Sequence, residues 1–259
     1  MSQHFAVVSL LKSIRHGSPL LWRSSLLMLA GVMMCIIFLS FDARLIGGVN
    51  VWEKPAKFFL SLAVQALTVG WAMSLVPTAT RGIRTAGWIF VGAAWMEMAY
   101  IVFRAGRGEA SHFNQSSGLA MFMYALMGVG AVLLVTSSAF VGWRVWQTRG
   151  NDILRLSAAV GLMLGATLGL IAGAYLSSHS SHWIGGDLTD ATGLPFLNWS
   201  TTGGDLRVSH FIGLHATQAV PLAGLSGQSA IVYGVAVAVT LAMAATFVMA
   251  AMGIPLLRV

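Results

Sequence analysis

Charge is scarce in this chain, and negative charge scarcer still. Only 9% of its 259 residues are Asp, Glu, Lys or Arg, with eight acids against fifteen Lys and Arg. A soluble domain carries roughly 25% charged residues. A water-facing surface therefore cannot be assembled from this composition, and with 57% hydrophobic residues most of the surface has to face lipid. Cysteine is nearly absent. Cys35 stands alone in the first apolar run, which excludes an intramolecular disulfide and any cysteine-built metal cluster. No Cys-x-x-Cys, phosphate-loop, dinucleotide-fingerprint or His-Glu-x-x-His pattern occurs. The basic residues fall in short clusters between apolar runs rather than in one stripe, which fits loop charges of a membrane protein and not a nucleic-acid footprint.

What is present is a series of long apolar runs. Seven segments, at about 20–41, 57–76, 86–104, 118–143, 156–176, 208–225 and 229–253, meet the length needed to cross roughly 30 Å of hydrocarbon. Backbone groups in lipid must be satisfied within the segment, so these are expected as helices. The expected fold is all-α: a polytopic bundle of seven transmembrane helices in one integral membrane domain, 1–259. Its lid loop, at about 177–206, would lie on the extracytoplasmic side. That loop is too long for a simple connection, and Trp183, Leu194, Phe196 and Trp199 make it too apolar for disorder. It holds no Lys or Arg, whereas Lys12, Arg15, Arg23, Arg81, Arg84, Arg144, Arg149 and Arg155 share the opposite side. This favours an N-terminus in the cytoplasm and a C-terminus outside, in a bacterial inner (plasma) membrane.

Polar residues inside such segments are costly and point to function by default. The densest cluster is Asp205-Leu206-Arg207-Val208-Ser209-His210-Phe211-Ile212-Gly213-Leu214-His215-Ala216-Thr217-Gln218. At 100° per residue, Arg207, His210, His215, Thr217 and Gln218 fall within about 160° of arc, a broad face expected to point into the bundle. In the third segment Glu97 lies one heptad from Arg104, nearly eclipsed and roughly 10 Å deeper. Arg104-Ala105-Gly106-Arg107-Gly108 suits an anion-accepting turn, followed by His112 and Asn114. The second segment opens on Asn50-Val51-Trp52-Glu53, a capping-box-like start, and Glu53, Lys57, Ser61 and Gln65 recur every four residues along one face.

These groups lead to three expectations. The first is a metal- or haem-dependent membrane enzyme or redox protein. Glu97, His210 and His215 would be its catalytic groups, and His112, His210, His215 and Asp205 would hold a transition metal or haem b. The second is a transporter or receptor-like binder of an anionic small molecule or lipid headgroup, held by Lys54, Lys57, Arg104, Arg107, Asn114, Arg207 and Gln218. The third is a structural subunit of a membrane complex. Gly161, Gly165, Gly169 and Gly173 form a smooth groove that admits a neighbouring helix, within the bundle or from a second copy or partner subunit. His179 and His182 form a lone H-x-x-H pair in the lid. The absence of lysine from the last segment excludes a retinal Schiff base.

Overall fold

The computed structural model describes residues 11–77 and 80–258. The expected all-helical bundle is found, at 71% helix. A short α1 (residues 11–17) leads into α2 (Pro19–Leu39), α3 (Glu53–Ser74), α4 (Arg81–Gly106), α5 (Gly118–Gln147), α6 (Ile153–Ser177), α7 (Leu206–Ala223) and α8 (Ser229–Ala251). Two two-stranded antiparallel ribbons interrupt them. One joins β1 (Leu45–Ile46) to β2 (Val49–Asn50), and the other joins β3 (Trp183–Ile184) to β4 (Gly204–Asp205). Among the described residues, six helices are long and apolar enough to cross a membrane: α2, α3, α4, α5, α6 and α8. The helix α7 has 18 residues, enough for about 27 Å, but Arg207, His210, His215 and Gln218 make it more polar than the six.

Helix boundaries differ from the expected ones where a capping side chain, rather than hydropathy, decides them. The α4 helix starts at Arg81, five residues before its apolar run, because Thr80 Oγ1 accepts the Ile83 N–H at 3.5 Å. The α6 helix starts at Ile153, where Asp152 accepts the N–H groups of Leu154 and Arg155 at 2.9 and 3.2 Å. The expected cap at Asn50 is not one. Its carbonyl accepts the Trp52 N–H at 2.9 Å, its amide donates to the Asp42 carbonyl, and the helix begins after Trp52 with no side-chain cap. Asn50 closes the β1–β2 ribbon, whose turn needs positive φ at Gly47 and Gly48.

Consecutive helices pack as antiparallel neighbours, and α3 is central, touching α2, α4, α5, α6 and α7. Its apolar core joins Phe59, Leu62, Ala63, Ala66 and Val69 to residues of α2, α4 and α5. The glycine face of α6 is filled by α7 of the same chain. A Cβ at Gly161 would lie 2.5 Å from Pro221 Cδ, one at Gly165 would lie 2.9 Å from the Thr217 backbone nitrogen, and one at Gly173 would lie 3.0 Å from the His210 ring. Leu214 occupies the space at Gly169. The groove thus serves an intramolecular contact.

Halfway along, α3 and α7 are also joined by polar side chains. Gln218 donates to Gln65 Oε1 at 2.7 Å and to Thr68 Oγ1 at 3.2 Å, and the Thr217 hydroxyl lies 2.9 Å from the same Gln65 oxygen. Ser138 of α5 lies 3.5 Å from Gln65 Nε2. Amides buried in an apolar bundle have to find partners, and here they find each other. Ser61, expected on the same face as Gln65, is exposed instead.

Adding a methyl at Gly165 meets backbone atoms of α7 that cannot swing aside, whereas nothing lies within 4 Å of a Cβ at Gly92. Gly165→Ala is expected to destabilise by about 1–3 kcal/mol. Gly92→Ala should be neutral or stabilising by up to about 1 kcal/mol. Thermal unfolding of the two variants in detergent checks the difference, and equal melting points would mean that the α6–α7 approach is looser than this geometry.

Candidate functional site under the lid

One end of the bundle is closed by three connections that interlock. The segment between α6 and α7 forms the lid. Its Asp190 N–H and Thr189 hydroxyl both donate to the Gly47 carbonyl in the first ribbon, at 2.8 and 3.0 Å. Asn198 donates to Glu53 at the start of α3, at 2.8 Å. Arg44 reaches the Gly106 carbonyl at the end of α4, at 2.9 Å. Phe113 in the α4–α5 turn lies against the His182 ring, centroids 5.9 Å apart.

Arg207 anchors the lid. Its guanidinium lies 2.7 Å from Asp205 Oδ2 and 2.8 Å from Asp190 Oδ1, and it also donates to the Asn198 carbonyl. Asp205 caps α7 through the Arg207 N–H at 3.0 Å and accepts the Ser200 N–H at 3.0 Å. His182 Nε2 lies 3.3 Å from Asp190. Burial alone would raise the Asp190 carboxyl, but the bond to His182 and the charge of Arg207 hold it below the usual carboxylate range. Both carboxylate oxygens of Asp205 and the Nε and Nη2 of Arg207 are therefore engaged within the lid. The expected roles of Asp205 as a metal ligand and of Arg207 as an anion clamp give way to a structural latch.

Several other expected anion ligands are likewise spent on neighbours. Glu109 pairs with both Arg104 and Arg107, at 2.7 and 3.1 Å. The glycine-flanked turn thus carries its own counterion. Asn114 donates to the Ala110 carbonyl and accepts the Ser116 N–H, closing that turn on itself. Lys57 lies 4.0 Å from Glu53. Gln218 belongs to the clasp with Gln65. His215 stacks on Phe211 at 3.8 Å and its Nδ1 meets the Phe211 carbonyl one turn earlier, so it is satisfied by its own helix. His179 does the same with Tyr175, at 2.8 Å, and does not join His182.

What remains is a smaller group beneath the lid. Lys54 lies over the Phe58 ring at 5.7 Å and makes no hydrogen bond or ion pair with any described residue. It is within coulombic reach of Glu97, which is 6% exposed. A glycine on α5 leaves room for that carboxyl, since a Cβ at Gly130 would lie 2.8 Å from Glu97 Oε1. The Oε1 atom has no partner among the described residues, and neither do Tyr100 Oη or His210 Nδ1. His112 sits between the rings of Phe58 and Tyr124, centroids 5.6 and 5.8 Å away, with its Nδ1 3.1 Å from Ser111 Oγ. It feels the charges of Lys54, His210 and His182. Of the expected site residues, the fold brings together Lys54, Glu97, His112 and His210. It holds Arg104 apart from Glu97 by giving it Glu109.

No three His, Cys, Asp or Glu side chains converge on a point where a metal ion would sit, among the described residues. Zinc needs three or four such ligands at about 2 Å. The expectation of a metal ion held by His112, His210, His215 and Asp205 therefore has no matching cluster among the described residues. His182 and Asp190 were the parts of the assembly that periodicity missed. The one signal for them was the rarity of acid in the chain, which gives any Asp in the lid a cation to find. The comparisons with known protein families, curated proteins and solved structures find no match to this chain.

Burial, and then the neighbouring charges of Lys54, His210 and His182, hold the His112 imidazole well below its usual range, so the folded protein keeps it neutral. An unfolded His takes a proton near pH 6.5. This contribution to stability is complete above that pH and is lost as the pH falls toward the folded value. We expect a loss of about 1.4 kcal/mol per pH unit below 6.5 for each such histidine. His112→Phe should flatten the decline of melting temperature between pH 7.5 and 5. A slope unchanged in the variant would show that His112 is solvated.

Proposed function

We propose that this is an integral membrane protein of seven spans that binds a small solute bearing an anionic group beneath its lid, for transport or sensing. The seventh span is α7. In support of this, α7 begins under the lid and runs antiparallel to α6, with His210 opposite Gly173 and Pro221 opposite Gly161, and ends where Gly224 meets Ser157 in the first turns of α6. It thus shares the depth of a helix that is itself apolar enough to cross. We place the N-terminus in the cytoplasm and the lid and C-terminus outside, in a bacterial inner membrane. Reporter fusions at residues 186 and 227 should then report opposite sides, and matching signals would remove α7 from the spans.

The binding reading is carried by Lys54 and Glu97, opposite charges within reach of each other that make no ion pair. An unpaired charge at this depth is expensive. It is retained where a ligand or proton completes it. In this reading Lys54 meets the anionic group, Glu97 holds a proton or a basic group of the solute, and Tyr100, His112 and His210 orient it by hydrogen bonds. Arg104, Arg107 and Arg207 shape the entrance through their carboxylate partners.

The test is thermal unfolding of the purified chain against panels of amino acids, monocarboxylates and phosphate monoesters. One class should raise the melting point by about 5 °C or more at a hundredfold excess over Kd. The rise should vanish in Lys54→Met and Glu97→Gln. A wild-type protein that responds to none of these and carries stoichiometric metal or a haem absorption band would overturn this reading in favour of a metal or haem protein.

A further inference from the structure

The net charge of the protein, +7, is not spread over the molecule. Seven of the eight acids lie at the lid end, matched there by seven Lys and Arg. The opposite end holds the other eight Lys and Arg, with Asp152 as its only acid. Asp152 is taken by the α6 cap and by Arg155, at 3.5 Å. The whole net charge is therefore presented at one end of a bundle whose flanks face lipid.

That end also contains a cleft. Ile14 of α1 is 4% exposed and packs on the far end of α3, where a Cβ at Gly70 would lie 3.2 Å from Ile14 Cγ2. Gly17 crosses so close to Gly70 and Ser74 that a Cβ would lie 2.7 Å from either. Ser18 then caps α2 through the Leu21 N–H at 3.3 Å, and Pro19 opens the helix. Arg15, His16, Pro19, Trp22 and Arg23 of this sharp entry line an open cleft of about 350 Å³. Neither arginine has an acid partner among the described residues, and both are exposed.

We propose that this cleft seats the headgroup of an anionic phospholipid. Arg15 and Arg23 hold the phosphate, His16 adds a third donor, and Trp22 lies at the level of the glycerol. Guanidinium groups match phosphate oxygens by paired hydrogen bonds, and Trp favours the boundary between headgroup and hydrocarbon. A lipid is the expected source because the cleft opens where α2 enters its apolar stretch. It is independent of the solute site, which lies at the other end.

The full-length chain, purified in mixed micelles with equal phosphatidylglycerol and phosphatidylcholine, is analysed for retained lipid by native mass spectrometry. We expect phosphatidylglycerol to be enriched over phosphatidylcholine by about fivefold per guanidinium. The enrichment should disappear in the Arg15→Gln/Arg23→Gln double variant and persist in Arg258→Gln, which alters the lid end. Raising the ionic strength should release the bound lipid from the unmodified protein, a readout that does not depend on the double variant folding. Equal retention of both lipids, or enrichment indifferent to salt, would overturn the proposal. Complete displacement by millimolar inorganic phosphate would also overturn it, assigning the cleft to the free ion.

Discussion

The close approach of α6 and α7 is the constraint on which the rest depends. If α7 is the seventh span proposed above, a helix carrying Arg207, His210, His215 and Gln218 is too polar to stand alone in lipid and needs neighbours on most of its circumference. The glycines of α6 supply one of them at a distance no other residue type allows. Their lack of Cβ atoms lets Pro221, Thr217 and Leu214 sit against bare backbone. On the next side of α7, Gln65 and Thr68 of α3 take up Gln218. On another, α8 contributes Val232, Ala236 and Met243 to two small apolar clusters with α6 and α7. With those contacts made, the polar first turn of α7 is held beneath the lid, where its charges meet the lid's acids.

Charge compensation follows from that placement. The few acids of this chain are mostly spent where a cation would otherwise enter the bundle unpaired. Asp205 and Asp190 serve Arg207, Glu109 serves two arginines, and Asp42 serves Arg44. Asp42 also accepts the Trp52 indole at 2.8 Å, and with Arg44 this holds its carboxyl well below the usual range. Consequently the lid end is nearly neutral although dense in charge, and the far end keeps the surplus. The asymmetry is a result of where acids are needed, and it leaves the far end as the surface that attracts anions.

Much of this was legible in the sequence. Helix type follows from run length and from the lack of charge, because nothing else satisfies a backbone in lipid, whereas the count does not: seven spans were expected, and six of the eight described helices are long and apolar enough to cross. The glycine face of α6 announced a close contact through its spacing alone. The site was legible only in part. Glu97, His112 and His210 were marked by their cost, but spacing within one helix could not tell which neighbour each would meet. Glu97 and Arg104 share a helical line, yet Arg104 turns to Glu109, five residues on, whose side chain is 34% exposed against the buried Glu97, so that only one charge of the pair is largely withdrawn from solvent. Gln218 looked like a ligand for the same reason that it became a clasp: its amide needs partners, and Gln65 stands across from it. Asp190 lies in a loop without periodicity, and no pattern on the page connected it with Arg207.

Against that background the isolation of Lys54 and Glu97 carries weight. Elsewhere under the lid, each cation that could be matched is matched by a nearby carboxylate, so the chain had the means to pair these two as well. A Glu97 placed one turn nearer the lid would come closer to Lys54 at the start of α3. Instead the carboxyl is set deeper, into a space that Gly130 opens, with Tyr100 Oη and His210 Nδ1 also lacking hydrogen-bond partners among the described residues. A purely structural role would favour replacing such groups by apolar side chains of similar volume, since unpaired polar atoms in a low-dielectric interior destabilise the fold. Glu97 Oε1, Tyr100 Oη and His210 Nδ1 are three of the six buried side-chain polar atoms without a hydrogen-bond partner among the described residues, and their retention fits the bound species proposed above.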